Sequence, residues 1–147
     1  ILRRAGKKIV LTNGVFDILH PEHVKCLEFA KGLGDVLIVG VNSDKSVREI
    51  KGEKRPIMKE EWRAYLVASL KPVDYVFIFG EKSPSEKLIK VVKPDVYVKG
   101  HDWKGKKSKT IEFVISYGGK VHYAPTSSHI STTKIIQEIL SKYGVRK

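Results

Sequence analysis

His20 and His23 stand three residues apart in Leu19-His20-Pro21-Glu22-His23, directly after the run Thr12-Asn13-Gly14-Val15-Phe16-Asp17. Imidazoles at that spacing project from the same end of a helix, beside backbone N–H groups that the first turn leaves without helical partners. The positive end of the helix macrodipole lies there too, so the place attracts phosphate. Pro21 suits the first turn, where a missing N–H costs nothing. Short motifs match by chance, and a lone pair of histidines at this spacing is more often a cap and a solvated side chain. The apolar strand Lys8-Ile9-Val10-Leu11 and the turn-permitting Asn13-Gly14 in front of it reverse those odds.

A second cluster, Ile130-Ser131-Thr132-Thr133-Lys134, opens another helix. One hydroxyl suffices for an N-cap, and the helpful residue three positions later is Glu or Gln. Here three hydroxyls precede Lys134, whose charge opposes the dipole at a cost of about a few tenths to one kcal/mol. That arrangement makes sense if an anion occupies the helix start, and phosphate binding is preferred here to plain capping.

The elements that must position these groups alternate between apolar runs and helical patterns, which argues for parallel βαβ units. A helix over 21–32 follows the first strand, and 35–41 reads as a strand covered on both faces. Asn42-Ser43-Asp44 starts a short helix that gives way to a mobile basic loop, Lys51-Gly52-Glu53-Lys54-Arg55-Pro56. Trp62, Tyr65, Leu66, Ser69 and Leu70 are the expected buried stripe of the next helix. A strand over 73–79 follows. Ser83-Pro84-Ser85-Glu86 then reads as a capping box with Pro84 at the first helical position. Strands over 94–98 and 120–124 and helices over 108–117 and 131–142 complete the pattern, with Ile135, Ile136, Ile139 and Leu140 as the last helix's inward face. The expected fold is α/β: one Rossmann-like, doubly wound domain over 1–147 with a five-stranded parallel sheet. In such sheets ligands sit beyond the carboxyl ends of the strands, where strand order reverses. The Asn13 turn, Asn42-Ser43-Asp44, Lys99-Gly100-His101 and the 127–133 stretch should therefore share one rim.

Composition narrows the class. At 147 residues the chain is long enough to bury a real core, and 41% hydrophobic against 30% charged residues reads as soluble and globular. No apolar run approaches a membrane span, and no charged-then-apolar leader opens the chain. The opening Ile1-Leu2-Arg3-Arg4 is consistent with a piece of something longer. A single cysteine, Cys26, excludes an internal disulfide and a cysteine metal cluster, so a cytoplasmic setting and a small core residue are expected. The net charge of +12 fits a site for polyanionic nucleotides, a nucleic-acid surface, or the Lys- and Glu-rich surface of a protein from a hot environment. Asn13, Asn42 and Gln137 are the only side-chain amides, which gives the last reading weight. The basic residues nevertheless cluster, at 3–8, 45–55 and 99–109, which a pure solubility effect does not require.

Thr12 to His23 together with Ile130 to Ile135 resembles the two signatures of the nucleotidylyltransferase superfamily, H-x-G-H and a Ser/Thr-rich helix start, and the likeness extends over about 7–140. Thr12 to His20, Val41-Asn42-Ser43-Asp44, Lys51-Gly52, Arg55-Pro56 and Val98-Lys99-Gly100 resemble the bacterial heptose-1-phosphate adenylyltransferases. Asp102-Trp103-Lys104-Gly105-Lys106 and Ile130 to Ile135 are similar to glycerol-3-phosphate cytidylyltransferases, which usually carry an arginine shortly before the second signature. Thr126-Ser127-Ser128-His129 has none.

The resemblance implies attack of a substrate phosphate oxygen on the α-phosphorus of ATP, or of CTP, releasing pyrophosphate. Mg²⁺ would bridge phosphates, and the partners are the nucleotide and a phosphorylated sugar or polyol. A homodimer is expected, with no nucleic acid and no membrane. It assigns His20, His23, Lys51 and Arg63 to catalysis. It places Asn13, Gly14, Val15, Phe16, Arg55, Gly100, Ser131, Thr132 and Thr133 around the nucleotide. No metal-ligating residue is assigned. Archaeal-type FMN adenylyltransferases share the scaffold, and a non-catalytic nucleotide- or nucleic-acid-binding module is the reading from a different class.

Each residue also has a plainer role. Lys51 and Arg55 could be solvated loop charges, Arg63 could pair with Glu60, Asp17 could hold the loop before His20, and Trp103 could anchor its own loop. His101 and His122 carry no assignment, and His129 is a weak site candidate. One departure stands out: Glu22 occupies the position of the motif glycine, adding bulk and negative charge near a triphosphate. Its side chain has two placements open to it, turned to solvent or against the base.

Overall fold

A computed structural model describes residues 5–126 and 130–144. Five strands form one sheet: β1 (Ile9–Gly14), β2 (Val36–Asn42), β3 (Tyr75–Phe79), β4 (Val96–Gly100) and β5 (Lys120–Ala124). The helices are α1 (Pro21–Lys31), α2 (Asp44–Lys51), α3 (Glu60–Ala68), α4 (Glu86–Val92), α5 (Lys109–Ser116) and α6 (Thr132–Tyr143), with a 3₁₀ turn at His101–Trp103 after β4. The strand order is β3-β2-β1-β4-β5 and all four pairings are parallel. This is the doubly wound α/β arrangement that the sequence predicts. Its order reverses between β1 and β4, so the ligand crevice is expected beyond Gly14 and Gly100.

The continuous apolar runs serve both faces of the sheet. On one, Val10, Val39, Val41, Val96 and Val98 pack with Leu27 and Ala30 of α1 and Val67 of α3. On the other, Leu11 and Tyr97 pack with Ile89 of α4 and Ile111 and Val114 of α5. Thr12 is the polar exception in the middle of β1: it is buried, and its hydroxyl donates to the Val98 carbonyl (2.8 Å). That bond ties together the two strands that flank the crevice.

Several local expectations are corrected. β1 runs on through Asn13 and Gly14, and β4 runs on to Gly100, so these residues end strands rather than begin turns. The Tyr97 hydroxyl donates to the Asn13 side-chain oxygen and holds it in the strand. The sharp turn falls instead at Phe16 and Ile18, with φ of 53° and 48°.

In α3 the inward positions are Arg63 and Val67, while Trp62 and Tyr65 are 52% and 74% exposed. A guanidinium with a hydrogen bond from each of its three nitrogens takes an inward place, and so turns the apolar stripe by one residue. Ser83 to Glu86 is not a capping box. Ser85 is the N-cap, accepting from Leu88 N, and Pro84 lies outside α4 with its carbonyl receiving the Thr110 hydroxyl.

The expected inward face of α6 is largely on the surface. Ile135 and Ile136 are half-buried, Ile139 and Leu140 are 49% and 62% exposed, and only Thr132 is buried. The helix meets the body of the protein at its first turn, which fixes its start and leaves its later turns outside the core.

Candidate active site

The segment between β1 and α1 holds two non-glycine residues, Phe16 and Ile18, in left-handed backbone conformations, which cost about 1–3 kcal/mol each. Three distant parts of the chain hold it in that shape. The Asp17 carboxylate, 1% exposed, accepts from Ile57 N (2.8 Å), Met58 N (2.9 Å) and Arg55 Nε (3.1 Å). The Asp17 carbonyl accepts the Thr132 hydroxyl from the start of α6. The Val15 carbonyl accepts Arg63 Nη1 (2.8 Å). Asp17 thus has the loop-holding role. The basic loop before α3 is tethered at its end, where Arg55, with Ile57 and Met58 just beyond, donates to one carboxylate.

His20 is the N-cap of α1, with Pro21 at the first helical position. Its Nδ1 accepts from Glu22 N (3.2 Å), and the Nδ1 of His23 accepts from His20 N (3.2 Å). Backbone N–H groups can only donate, so each Nδ1 carries a lone pair and each neutral ring carries its proton on Nε2. The rings stack with centroids 3.7 Å apart. Burial lowers the affinity of both for a second proton. His20 is held below its ordinary value, and His23 is pushed down to about 4, with His20 adding to the effect and the charges of Asp17 and Glu22 opposing it. Near neutral pH the pair is therefore two uncharged Nε2–H donors on a rigid helix end.

Both rings line a cavity of about 440 Å³ at the strand-order reversal. Around it the structure gathers Asn13, Gly14, Val15, Phe16, His20, His23, Lys51, Arg55, Gly100, Ser131, Thr132 and Thr133, all expected at the site. Gly14 has a physical reason to lack a side chain, whereas at Gly100 only the movable end of Asp102 stands in the way. A Cβ at Gly14 would meet the Phe16 ring at 3.0 Å, and one at Gly100 would meet an Asp102 carboxylate oxygen at 2.8 Å.

Arg63 is not brought into the cavity. It is wholly buried, and its guanidinium is engaged by Met58 O (2.7 Å), Val15 O (2.8 Å) and the Asp44 carboxylate (2.8 Å), not by Glu60. It shapes the loop from behind. The hydroxyl triplet also divides. Ser131 caps α6 by accepting from Lys134 N, Thr132 pins Asp17, and Thr133 stays exposed on the cavity wall. Lys134 does not line the cavity, and Asn42-Ser43-Asp44 does not either: Ser43 caps α2 and Asn42 donates to Ser46 and Glu81.

Glu22 and Cys26 line the cavity one helical turn apart, and Asp102, His101 and Thr126 close its other walls. Cys26 is half-buried, and burial pushes its thiol up to about 11, so it is inert toward nucleophilic chemistry. His101, expected on the rim with Lys99 and Gly100, and Asp102, the first residue of the cytidylyltransferase-like stretch, had no assigned role, and both line the cavity. Trp103 anchors its own turn, away from the cavity. Lys99 Nζ lies 4.1 Å from its ring centre, and burial draws that amine down to about 8. Ser127, Ser128 and His129 lie outside the described residues.

The strand order, the histidine pair at the start of α1 and the cavity at the β1–β4 crevice define a nucleotide-binding α/β class. The chain belongs to the cytidylyltransferase-like family, whose model matches residues 11–138, and the nucleotidylyltransferase resemblance read from the motifs holds. It is similar to the bifunctional protein HldE of Geobacter metallireducens, 51% identical over 139 residues, covering 95% of this chain and 28% of that protein. The bifunctional protein HldE of Aliarcobacter butzleri is 60% identical over 105 residues, 71% of this chain and 22% of that one. This chain therefore spans less than a third of the length of those curated relatives. Among solved structures, the lipopolysaccharide core biosynthesis protein from Thermoplasma volcanium superposes with a TM-score of 0.70 at 34% identity, covering 84% of this chain and all of that one.

Proposed function

We propose that this domain transfers AMP from ATP to heptose 1-phosphate, releasing pyrophosphate and forming an ADP-sugar. The observation that carries the reading is the pair of neutral imidazoles whose Nδ1 atoms are tied to the backbone. Their Nε2–H donors line the same cavity as Lys51, Arg55 and the first turn of α6. In the reaction an oxygen of the sugar phosphate forms a bond to the α-phosphorus. The bond from that phosphorus to the α,β-bridging oxygen breaks, and the β- and γ-phosphates leave as pyrophosphate with the electron pair. No protein nucleophile is required, which agrees with the inert Cys26.

Fixed donors aimed at the reacting phosphate stabilise charge that grows in the transition state without having to reorganise. The stacked, capped histidines are such donors. Lys51 and Arg55, the latter paired with Asp17, add positive charge to the same lining, and the exposed Thr133 with the first N–H groups of α6 suits the outer phosphates. Mg²⁺ belongs to this reading as a companion of the triphosphate, neutralising its charge.

The stretches resembling heptose-1-phosphate adenylyltransferases and the likeness to a lipopolysaccharide core biosynthesis protein support ATP and a heptose phosphate. The Asp102-Trp103-Lys104-Gly105-Lys106 stretch favours the second reading, cytidylyl transfer to glycerol 3-phosphate. Pyrophosphate release measured with ATP and CTP, each paired with heptose 1-phosphate and glycerol 3-phosphate, decides between them. The expected result is release with ATP and the heptose phosphate, falling at least about a hundredfold in His23→Ala, and in His20→Asn, which keeps a capping side chain. A clear CTP preference, or near-normal turnover in a folded variant, overturns the assignment.

A further inference from the structure

The side chain of Asn13 carries an oxygen that accepts and a nitrogen that donates twice, so what it offers a ligand depends on which way the amide is turned. Tyr97 of β4 fixes the turn. That residue is wholly buried, and among the described residues its hydroxyl meets no partner but Asn13 Oδ1. A sealed O–H without an acceptor is costly, so the oxygen must face it. Burial also pushes the phenol up, so it keeps its proton and stays a donor at neutral pH. Asn13 Nδ2 is thereby turned away from Tyr97. Among the described residues it meets no protein acceptor and is not sealed from solvent, and Asn13 lines the cavity. Asn42, at the end of β2, differs: its nitrogen is spent on Ser46 Oγ and the Glu81 carbonyl. The Asn13 amide is anchored through its oxygen instead, which leaves its N–H bonds for a ligand.

Side chains alternate along β1, so Asn13 lies with Leu11 and Tyr97 on the α4–α5 side of the sheet, whereas α1 and its two histidines lie on the other. A group lying across the ends of β1 and β4 therefore meets neutral N–H donors from both faces, the imidazole pair from one and the amide from the other. Fixed donors of this kind suit an oxygen that accepts hydrogen bonds and gathers negative charge, which is what a reacting phosphate offers. We propose that Asn13 Nδ2 donates to a phosphate oxygen of the bound substrates, and that Tyr97, sealed from any ligand, is the residue that positions it. The proposal rests on the nucleotidyl-transfer reading and adds to it a donor whose orientation is set by the buried core of the sheet. The oxygen belongs either to the nucleotide or to the phosphate of the acceptor sugar, and the two sources separate experimentally.

The test is equilibrium binding by calorimetry, which needs no turnover. Wild type, Asn13→Ala, Asn13→Asp, Tyr97→Phe and the double variant Asn13→Ala with Tyr97→Phe are titrated with Mg²⁺-α,β-methylene-ATP and with heptose 1-phosphate. Circular dichroism and urea unfolding establish that the variants are folded. Should Asn13→Ala be unstable with its orphaned Tyr97 hydroxyl, the double variant removes both partners and Asn13→Asp keeps both. A hydrogen bond to a charged acceptor predicts that Asn13→Ala weakens one of the two ligands by about 10- to 100-fold. Asn13→Asp still accepts from Tyr97 but turns a carboxylate oxygen to the phosphate. Its loss at pH 7.5 should be at least as large, and relative to wild type it should shrink toward pH 5 as the carboxyl takes up a proton and can donate. Tyr97→Phe should cost about 3- to 10-fold by itself and nothing further beside Asn13→Ala, because a residue that acts only by orienting the amide then has nothing to orient. Loss on the ATP analogue assigns the nucleotide, and loss on heptose 1-phosphate assigns the acceptor. The proposal is overturned if the folded variants bind both ligands as wild type does, if Asn13→Asp binds more tightly at pH 7.5, as a ligand hydroxyl would require, or if the Tyr97→Phe and Asn13→Ala losses add. Wild type that binds neither ligand would instead overturn the nucleotidyl-transfer reading, and the proposal with it.

Discussion

At the scale of single residues, the histidine pair shows how one side chain meets two demands. His20 caps α1 through Nδ1 and offers Nε2 to the cavity, so the same geometry that starts the helix fixes the tautomer. His23 has a measurable consequence in stability. Its folded-state value near 4 lies below the ordinary 6.5, mainly through burial, so the unfolded chain binds a proton that the folded site resists. The contribution is fully present above about pH 6.5 and is lost as pH falls toward 4, by an amount on the order of 3 kcal/mol. Urea unfolding of wild type and His23→Asn at pH 7.5, 6, 5 and 4.5 should therefore show wild type losing stability faster between 6.5 and 4.5. Parallel pH profiles would show that His23 titrates normally in the folded protein.

At the scale of elements, the loop between β1 and α1 has an unfavourable backbone shape that the segment alone does not sustain. Arg63 clamps it from α3, Asp17 gathers the 55–58 segment onto it, and Thr132 ties it to α6. Removing the clamp should cost both stability and binding. In Arg63→Met the Val15 and Met58 carbonyls lose their partner, while Asp44, whose side chain is 28% exposed, is partly rehydrated. We expect a loss of about 2–4 kcal/mol in denaturant unfolding, with a rise in the ATP dissociation constant although Arg63 does not itself line the cavity. Weakened turnover with unchanged stability would point instead to direct contact with the reacting groups.

At the scale of the whole molecule, the strand order brings segments more than a hundred positions apart to one crevice. Thr132 and Asp17 are joined there by the protein itself, before any ligand arrives. A nucleotide lying between the starts of α1 and α6 should tighten both. Adding Mg²⁺-ATP is expected to slow amide hydrogen exchange at 14–23 and 130–134 together while leaving α4 unchanged. Thr133→Val should weaken ATP more than AMP, because the loss falls on the outer phosphates. Thr132→Val should speed exchange at 14–23 even without ligand, by cutting the direct tie. Protection confined to one segment would refute a bridging nucleotide.

Residue types and spacing by themselves determined the alternation of strands and helices, the parallel sheet, the phosphate-attracting start of α1 and most of the cavity lining. These follow from local pattern: apolar runs of strand length, proline after a capping residue, hydroxyls before a helix. Tertiary structure alone decided which charged side chains face the ligand. Arg63 and Lys51 are both basic and near the same loop in sequence, yet one is buried and spent on three protein partners and the other lines the cavity. The choice depends on whether Val15, Met58 and Asp44 converge behind α3, which no local pattern encodes. The same holds for the hydroxyls of α6, which look equivalent in sequence and divide only because the Asp17 carbonyl arrives beside Thr132.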